Sequence, residues 1–203
     1  MYNLILKGGN VIDGTGTPVY HADIAIKDGK IAAIAADITS PDAPTIDVTG
    51  LAVAPGFIDI HSHSDTSFLL DDRGESKLFQ GVTSELAGQC GSTIYPCPDN
   101  RMDNIRHFAG ERFEQFASGS FHEFMDKVQA NNKRMGTNLI SLIGHGALRC
   151  GVMGYENRKA TPEELEEMKS LLERDMQAGA WGLSLGLGYT PGISSDQDEL
   201  NAL

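Results

Sequence analysis

The chain has 203 residues, with 16 Lys+Arg against 28 Asp+Glu and a formal net charge of −12; nucleic acid and anionic membranes would repel such a surface and are excluded as its main partners. Hydrophobic residues make up 40%, enough to bury a core and too many for a disordered tail, while no apolar stretch approaches the ~18 residues that span a bilayer. Three cysteines cannot close a full disulfide framework, and Met1–Lys7 lacks the charged and apolar regions of a signal peptide, so a reducing cytoplasmic setting is expected, with thiols free or bound to metal.

Residues 1–52 read as short strands. Leu4-Ile5-Leu6 runs into Gly8-Gly9, and Val11-Ile12 into the turn-rich Asp13-Gly14-Thr15-Gly16. Asp23–Lys27 alternates apolar and polar residues, Asp28-Gly29 follows, and Lys30–Ile34 resumes the apolar pattern. Asp-Gly between two such runs is a strong hairpin signal, because glycine accepts positive φ without a Cβ clash. A small β-sandwich segment over 1–52 is expected, too small to be stable alone.

From Leu51 onward, apolar strands alternate with helices. The strand candidates are Ala52–His61, Gly81–Ala87, Asn138–Gly144 and Ala180–Leu185. Ser120 and Glu123 form a candidate capping box ahead of Phe121, Phe124, Met125 and Val128, with Gly136 as a stop. Thr161-Pro162-Glu163-Glu164 is a stronger start: a cap, a proline in the first turn and two acids at the positive end of the helix dipole. Leu165, Met168, Leu172 and Met176 follow at helical spacing before Gly179. These stripes read as core packing.

Near-continuous apolar strands between amphipathic helices imply a parallel sheet buried on both faces, an α/β fold. Residues 53–203 hold four βα units, whereas a closed eight-unit barrel needs roughly 250 residues. The stretch Asp196–Leu203 reads as a helix without a C-cap. The expectation is therefore a partial (β/α)8 TIM-type barrel, about half of one, in a truncated chain.

His61-Ser62-His63 follows the first strand candidate. On extended backbone, residues i and i+2 project to the same side, so both imidazoles can reach one ion. Asp59 shares that face and Asp65 follows; either carboxylate could orient an imidazole. A bare His-x-His can also be two unrelated polar residues in a loop. Its place at the C-terminal end of a strand, where barrel enzymes put their chemistry, favours metal binding.

The segment Ala54–Asp65, together with Asn3–Ile34, resembles the opening of the amidohydrolase superfamily. Gly81–Gly91, carrying Cys90, is similar to the second-strand motif of the N-acyl-D-amino-acid deacylases, or D-aminoacylases; Gly144–Arg149 and Gly182–Gly192 resemble two further stretches of that family. The resemblance implies a zinc-dependent hydrolase on a (β/α)8 barrel, with one or two zinc ions and a small β domain built from both chain ends. Its small-molecule substrates would be N-acyl-D-amino acids, whose linear amide is cleaved to a carboxylic acid and a D-amino acid. It also implies that Cys90 joins two histidines of later strands on the tight zinc, while His61 and His63 serve an adjacent position. An aspartate of the last strand would be general base and acid. None of those later residues lies within this chain, so no catalytic residue is assigned here and the chain alone is expected to be inactive.

Cys90 ends the second strand candidate, next to the first in a barrel, so its sulfur can approach the imidazoles from the side. Zinc accepts both thiolate and imidazole. A free cysteine is otherwise most often a small buried hydrophobe, the reading taken for Cys97 and Cys150. His145 and Tyr189 are candidate substrate-binding residues; either could instead be interior packing. Arg149 could pair with a substrate carboxylate. His21, His107 and His122 lie away from strand ends and read as solvated or capping. Gly14-Thr15-Gly16 is not a phosphate loop, because no Gly-Lys-Ser/Thr follows.

Two alternatives stand beside the deacylase. A dihydropyrimidinase-like cyclic amidohydrolase would bridge its metals with a carbamylated lysine, and no strand-end lysine replaces Cys90. A non-catalytic metal-binding or interaction module would reuse half a barrel. An isolated half-barrel is expected to self-associate through its sheet edges and apolar surface.

Overall fold

The computed structural model describes residues 1–70, 73–98, 101, 103–104, 115–131 and 136–203. His107 lies outside the described residues. The chain divides into two compact units, Met1–Gly56 and Phe57–Leu203.

In the first unit, β1 (Leu4–Val11) pairs antiparallel with β2 (Tyr20–Lys27), and β2 with β3 (Lys30–Ala35). The β2–β3 turn holds Asp28 and Gly29 at φ 52° and 73°, the positive pair that a two-residue I′ hairpin requires. β4 (Thr45–Asp47) and β5 (Ala52–Val53) both add parallel to β1. Alternation along β2 sends Ala25 to a cluster with Ile5 and Ile38, and Ala22 and Ile24 to another with Val11. Asp23 is buried in the same strand. A bulge between Leu6 and Gly9 frees the Gly8 N–H to donate to it at 2.8 Å; Ile38 N–H donates at 2.8 Å and the Lys7 ammonium at 2.7 Å. These donors, Lys7 first, hold the carboxyl down at about 2.

The run Ala52–His61, read as one buried strand, is in fact two. Ala52–Val53 belongs to the first unit, and β6 (Phe57–Asp59) starts the second. Pro55 has no N–H to give a ladder and Gly56 imposes no extended preference, so pairing lapses between them. Nor is β6 buried on both faces: Phe57 and Ile58 are 67% and 62% exposed, because β6 pairs only with β7 among the described residues.

The second unit is α/β. β6, β7 (Val82–Ala87) and β8 (Asn138–Ser141) are parallel neighbours in chain order. One residue after β8, β9 (Ile143–Gly144) pairs parallel with β10 (Leu183–Ser184). Around them lie α1 (Ser67–Leu70), α2 (Glu75–Leu78), α3 (Phe121–Asn131), α4 (His145–Met153), α5 (Pro162–Gln177) and α6 (Gln197–Ala202).

Both helix starts carry side-chain caps. At α5 the box is reciprocal: Thr161 Oγ1 accepts Glu164 N–H at 3.2 Å and Glu164 Oε2 accepts Thr161 N–H at 2.8 Å. At α3, Ser120 Oγ accepts Glu123 N–H at 3.1 Å, but the Glu123 carboxylate reaches one residue further back, to Gly119 N–H at 2.7 Å. Phe121, Phe124 and Val128 of α3 meet Met168 and Leu172 of α5 in one core with Ile143 and Leu148. Tyr95 stacks on Phe124 at 5.0 Å and satisfies its hydroxyl on Ser141 Oγ at 2.7 Å and Leu142 O at 2.8 Å. Met176 lies on the solvent side of that stripe.

Candidate metal centre

His61 and His63 stand just past the end of β6, and Cys90 in the turn after β7, the neighbouring parallel strand. One ligand atom from each lies within 4.8 Å of the other two, and Cys90 Sγ is 3.3 Å from His61 Nε2. Tetrahedral zinc with Zn–N near 2.0–2.1 Å and Zn–S near 2.3 Å separates its ligands by about 3.3–3.6 Å. A sulfur–nitrogen pair falls at the upper end of that range, about 0.2 Å beyond the spacing seen here, a small side-chain adjustment, and a donor set of two ring nitrogens and one sulfur suits a borderline-soft ion. The residues therefore fit zinc. The trio is also open to solvent on one side: both histidines are exposed and Cys90 half-buried.

The turn that carries Cys90 is backbone-limited. Gly88 and Gly91 have φ of 76° and 70°, and Cys90 itself sits at 56°, where an L residue crowds its own carbonyl. A Cβ at Gly88 would collide with the Leu142 carbonyl, and one at Gly91 would come within 2.8 Å of Gly186 N. Ser184 Oγ, from β10, accepts Gly91 N–H at 3.0 Å and donates to Gly88 O. Tyr189 Oη donates to Cys90 O.

The histidine segment is held from below. Ser62 N–H donates to Leu86 O at 3.1 Å, and its hydroxyl donates to Glu85 Oε2 at 3.1 Å. Buried Glu85 also accepts Thr137 Oγ1 at 2.9 Å and lies 3.5 Å from Lys77 Nζ. Asp59 is one of the two carboxylates that could orient an imidazole. It instead pairs with Lys77, whose ammonium holds its carboxyl below the usual range, and accepts the backbone N–H of His61 at 3.1 Å. It thus fixes the main chain, not the ring. Asp65, the other carboxylate considered, turns inward: burial pushes it up to about 7, and its Oδ1 has no hydrogen-bond partner among the described residues. No hydrogen bond joins it to either imidazole among the described residues.

His145 begins α4, all nine residues of which are buried. Its Nε2 lies 2.7 Å from Glu199 Oε1, and Arg149, with no exposed surface, pairs with the other oxygen of Glu199. Arg149 also donates to Arg158 O at 2.5 Å, so both terminal nitrogens are used inside the protein, while its buried Nε has no partner among the described residues. Tyr189 is 45% exposed and stands beside the ligand trio through its bond to Cys90 O. Cys97 and Cys150 are buried, as read from sequence, and burial raises the Cys150 thiol to about 12. His21 is exposed and His122 lies 3.6 Å from Asp126 one turn on.

Sequence reasoning missed Glu85, Ser184 and Glu199. Their partners, Ser62 and Thr137, Gly88 and Gly91, and His145 and Arg149, lie far away in sequence, so no local pattern marks them.

Residues 44–202 match the amidohydrolase family. The D-aminoacylase of Alcaligenes xylosoxydans xylosoxydans is 37% identical over 98% of this chain and 40% of its own length. A D-aminoacylase structure with a binuclear metal centre superposes at a TM-score of 0.86 and 31% identity, covering all of this chain and 42% of that one. An N-acyl-D-glutamate deacylase of Bordetella bronchiseptica, complexed with zinc and a phosphonate that mimics the tetrahedral intermediate, gives 0.87 and 32% over the same shares, 100% and 42%. The chain thus spans about two fifths of the length of the relatives it matches. With a family match over most of its length and a D-aminoacylase-like fold, the chain belongs to the amidohydrolase family.

Proposed function

We propose that this chain supplies His61, His63 and Cys90 to the metal centre of a zinc-dependent hydrolase that cleaves the linear amide of N-acyl-D-amino acids, with one or two zinc ions bound. The observation that carries this is the convergence of two imidazoles and a thiol within 4.8 Å at the ends of adjacent parallel strands. Similarity to proteins described as D-aminoacylase and as a zinc-complexed N-acyl-D-glutamate deacylase supports the substrate class. The same reading takes the second unit, Phe57–Leu203 and not the expected 53–203, as the first half of a (β/α)8 barrel, with the ligands at the C-terminal strand ends where such barrels work.

Zinc bound here would polarise an amide carbonyl and make a water acidic near neutral pH. The chain's own residues do the holding. Neutral imidazoles donate nitrogen lone pairs, Cys90 donates as the thiolate, and Asp59 and Glu85 lock the backbone and serine between the two rings. Of the residues expected to meet substrate, Tyr189 is the better placed: it is exposed beside the trio, whereas His145 faces Glu199. The chain holds no proposed general base, and alone it is proposed to be inactive. A thiol occupies the place beside the imidazoles, which disfavours the carbamate-bridged, dihydropyrimidinase-like alternative.

The test is amine release by the whole protein from N-acetylated D- and L-amino acids. Turnover of the D series alone is expected; equal rates on both series would overturn the assignment.

A further inference from the structure

Cys90 is the ligand with the strained backbone, and nothing in its own side chain compensates. Of the described non-glycine residues, only Asp28, in a hairpin turn, shares its positive φ. Such a conformation persists when neighbours over-determine it. At Cys90 several of those neighbours come from one segment, Leu183–Tyr189. Ser184 Oγ bridges the turn across its ends, accepting Gly91 N–H at 3.0 Å and donating to Gly88 O. Tyr189 Oη binds the carbonyl of Cys90 itself. Gly186 lies so close under that carbonyl that any Cβ there would collide with it and come within 2.8 Å of the Tyr189 ring. Gly91 O is taken by Ala147 N–H at 3.2 Å, and Gln89 O by Ser92 N–H at 3.0 Å. Rotating Cys90 out of the left-handed region would swing its Cβ, and with it the sulfur, away from His61, and would disturb the three side-chain bonds from this segment.

We infer that Ser184 and Tyr189 are positioning residues that hold Cys90 in its metal-ligating conformation. The inference rests on the proposal that Cys90 is a ligand. It gives Tyr189 a function carried by its hydroxyl, distinct from packing or from contact between its ring and substrate.

The experiment uses the whole protein with its metal removed and cobalt(II) titrated back, reading the sulfur-to-cobalt charge-transfer absorption and the cobalt dissociation constant. The variants are Cys90→Ala, Tyr189→Phe, Ser184→Ala and Ser184→Thr. Wild type is expected to show the band and Cys90→Ala to lack it. Tyr189→Phe, which loses one hydrogen bond, should weaken the band and bind cobalt about three- to tenfold less tightly, and Ser184→Ala, which loses two, at least as much, with circular dichroism unchanged in both. Ser184→Thr, which keeps the hydroxyl, should restore both. Wild-type bands and affinities in both hydroxyl-less variants would overturn the inference while leaving ligation by Cys90 intact; absence of the band in wild type would overturn ligation itself. Should Ser184→Ala not fold, Tyr189→Phe decides alone, since it removes one oxygen from a half-exposed side chain.

Discussion

Cys90, Gly88 and Gly91 show how much of the proposed metal site depends on backbone conformation. Gly88→Ala would place a methyl against the Leu142 carbonyl at a φ that only glycine adopts freely. The expected cost is about 1–3 kcal/mol, read as a lower urea midpoint at unchanged m, together with weaker metal retention; an unchanged midpoint would mean that the turn tolerates the methyl. Asp23 makes a second residue-scale prediction, in pH. Its folded value, about 2, lies below the ordinary 3.8, so its stabilisation is complete above the unfolded value and is lost as pH falls through the folded one. Unfolding midpoints should therefore drop between about pH 4 and 2, and Asp23→Asn should flatten that dependence. The two histidines were legible because period-two spacing at a strand end is a local pattern. The roles of Asp59, Glu85 and Arg149 were not, because each is fixed by a partner remote in sequence: Lys77, Ser62 with Thr137, and Glu199.

Local chemistry accounts for the elements to different depths. The α5 start was readable to the residue, since cap, proline and acids act within one turn, and Thr161→Ala is expected to cost about 1 kcal/mol in chemical denaturation; a change below a few tenths would contradict the reciprocal box as a stabilising device. The hairpin at Asp28-Gly29 was equally readable. The run Ala52–His61 was not, because its apolar composition concealed a change of unit at Pro55-Gly56. Helix α4 was missed for the opposite reason. Buried on every side, it has no polar face to give the 3.6-residue alternation by which surface helices are recognised.

At the scale of the molecule, successive parallel strands bring the ends of β6 and β7 together, and that juxtaposition assembles the proposed metal ligands His61 and Cys90 from residues 29 apart in sequence. The α/β class was legible from the alternation of strands and helices. Which side chains close over one another was not, since that depends on how helices pack on the sheet. The same arrangement leaves β6 and β10 each paired on one side among the described residues, with Ile60 and Trp181 exposed. The 203-residue chain alone is accordingly expected to self-associate in a dilution series by sedimentation velocity; a single monomeric species at all concentrations would contradict this. No described helix is long and apolar enough to cross a membrane.

Zinc K-edge X-ray absorption on the metal-loaded whole protein reaches the central claim most directly. The account expects a sulfur shell near ~2.3 Å beside nitrogen near ~2.0–2.1 Å, with the sulfur shell gone in Cys90→Ala. A wild-type spectrum of nitrogen and oxygen shells alone, or a sulfur shell that survives the substitution, would contradict it.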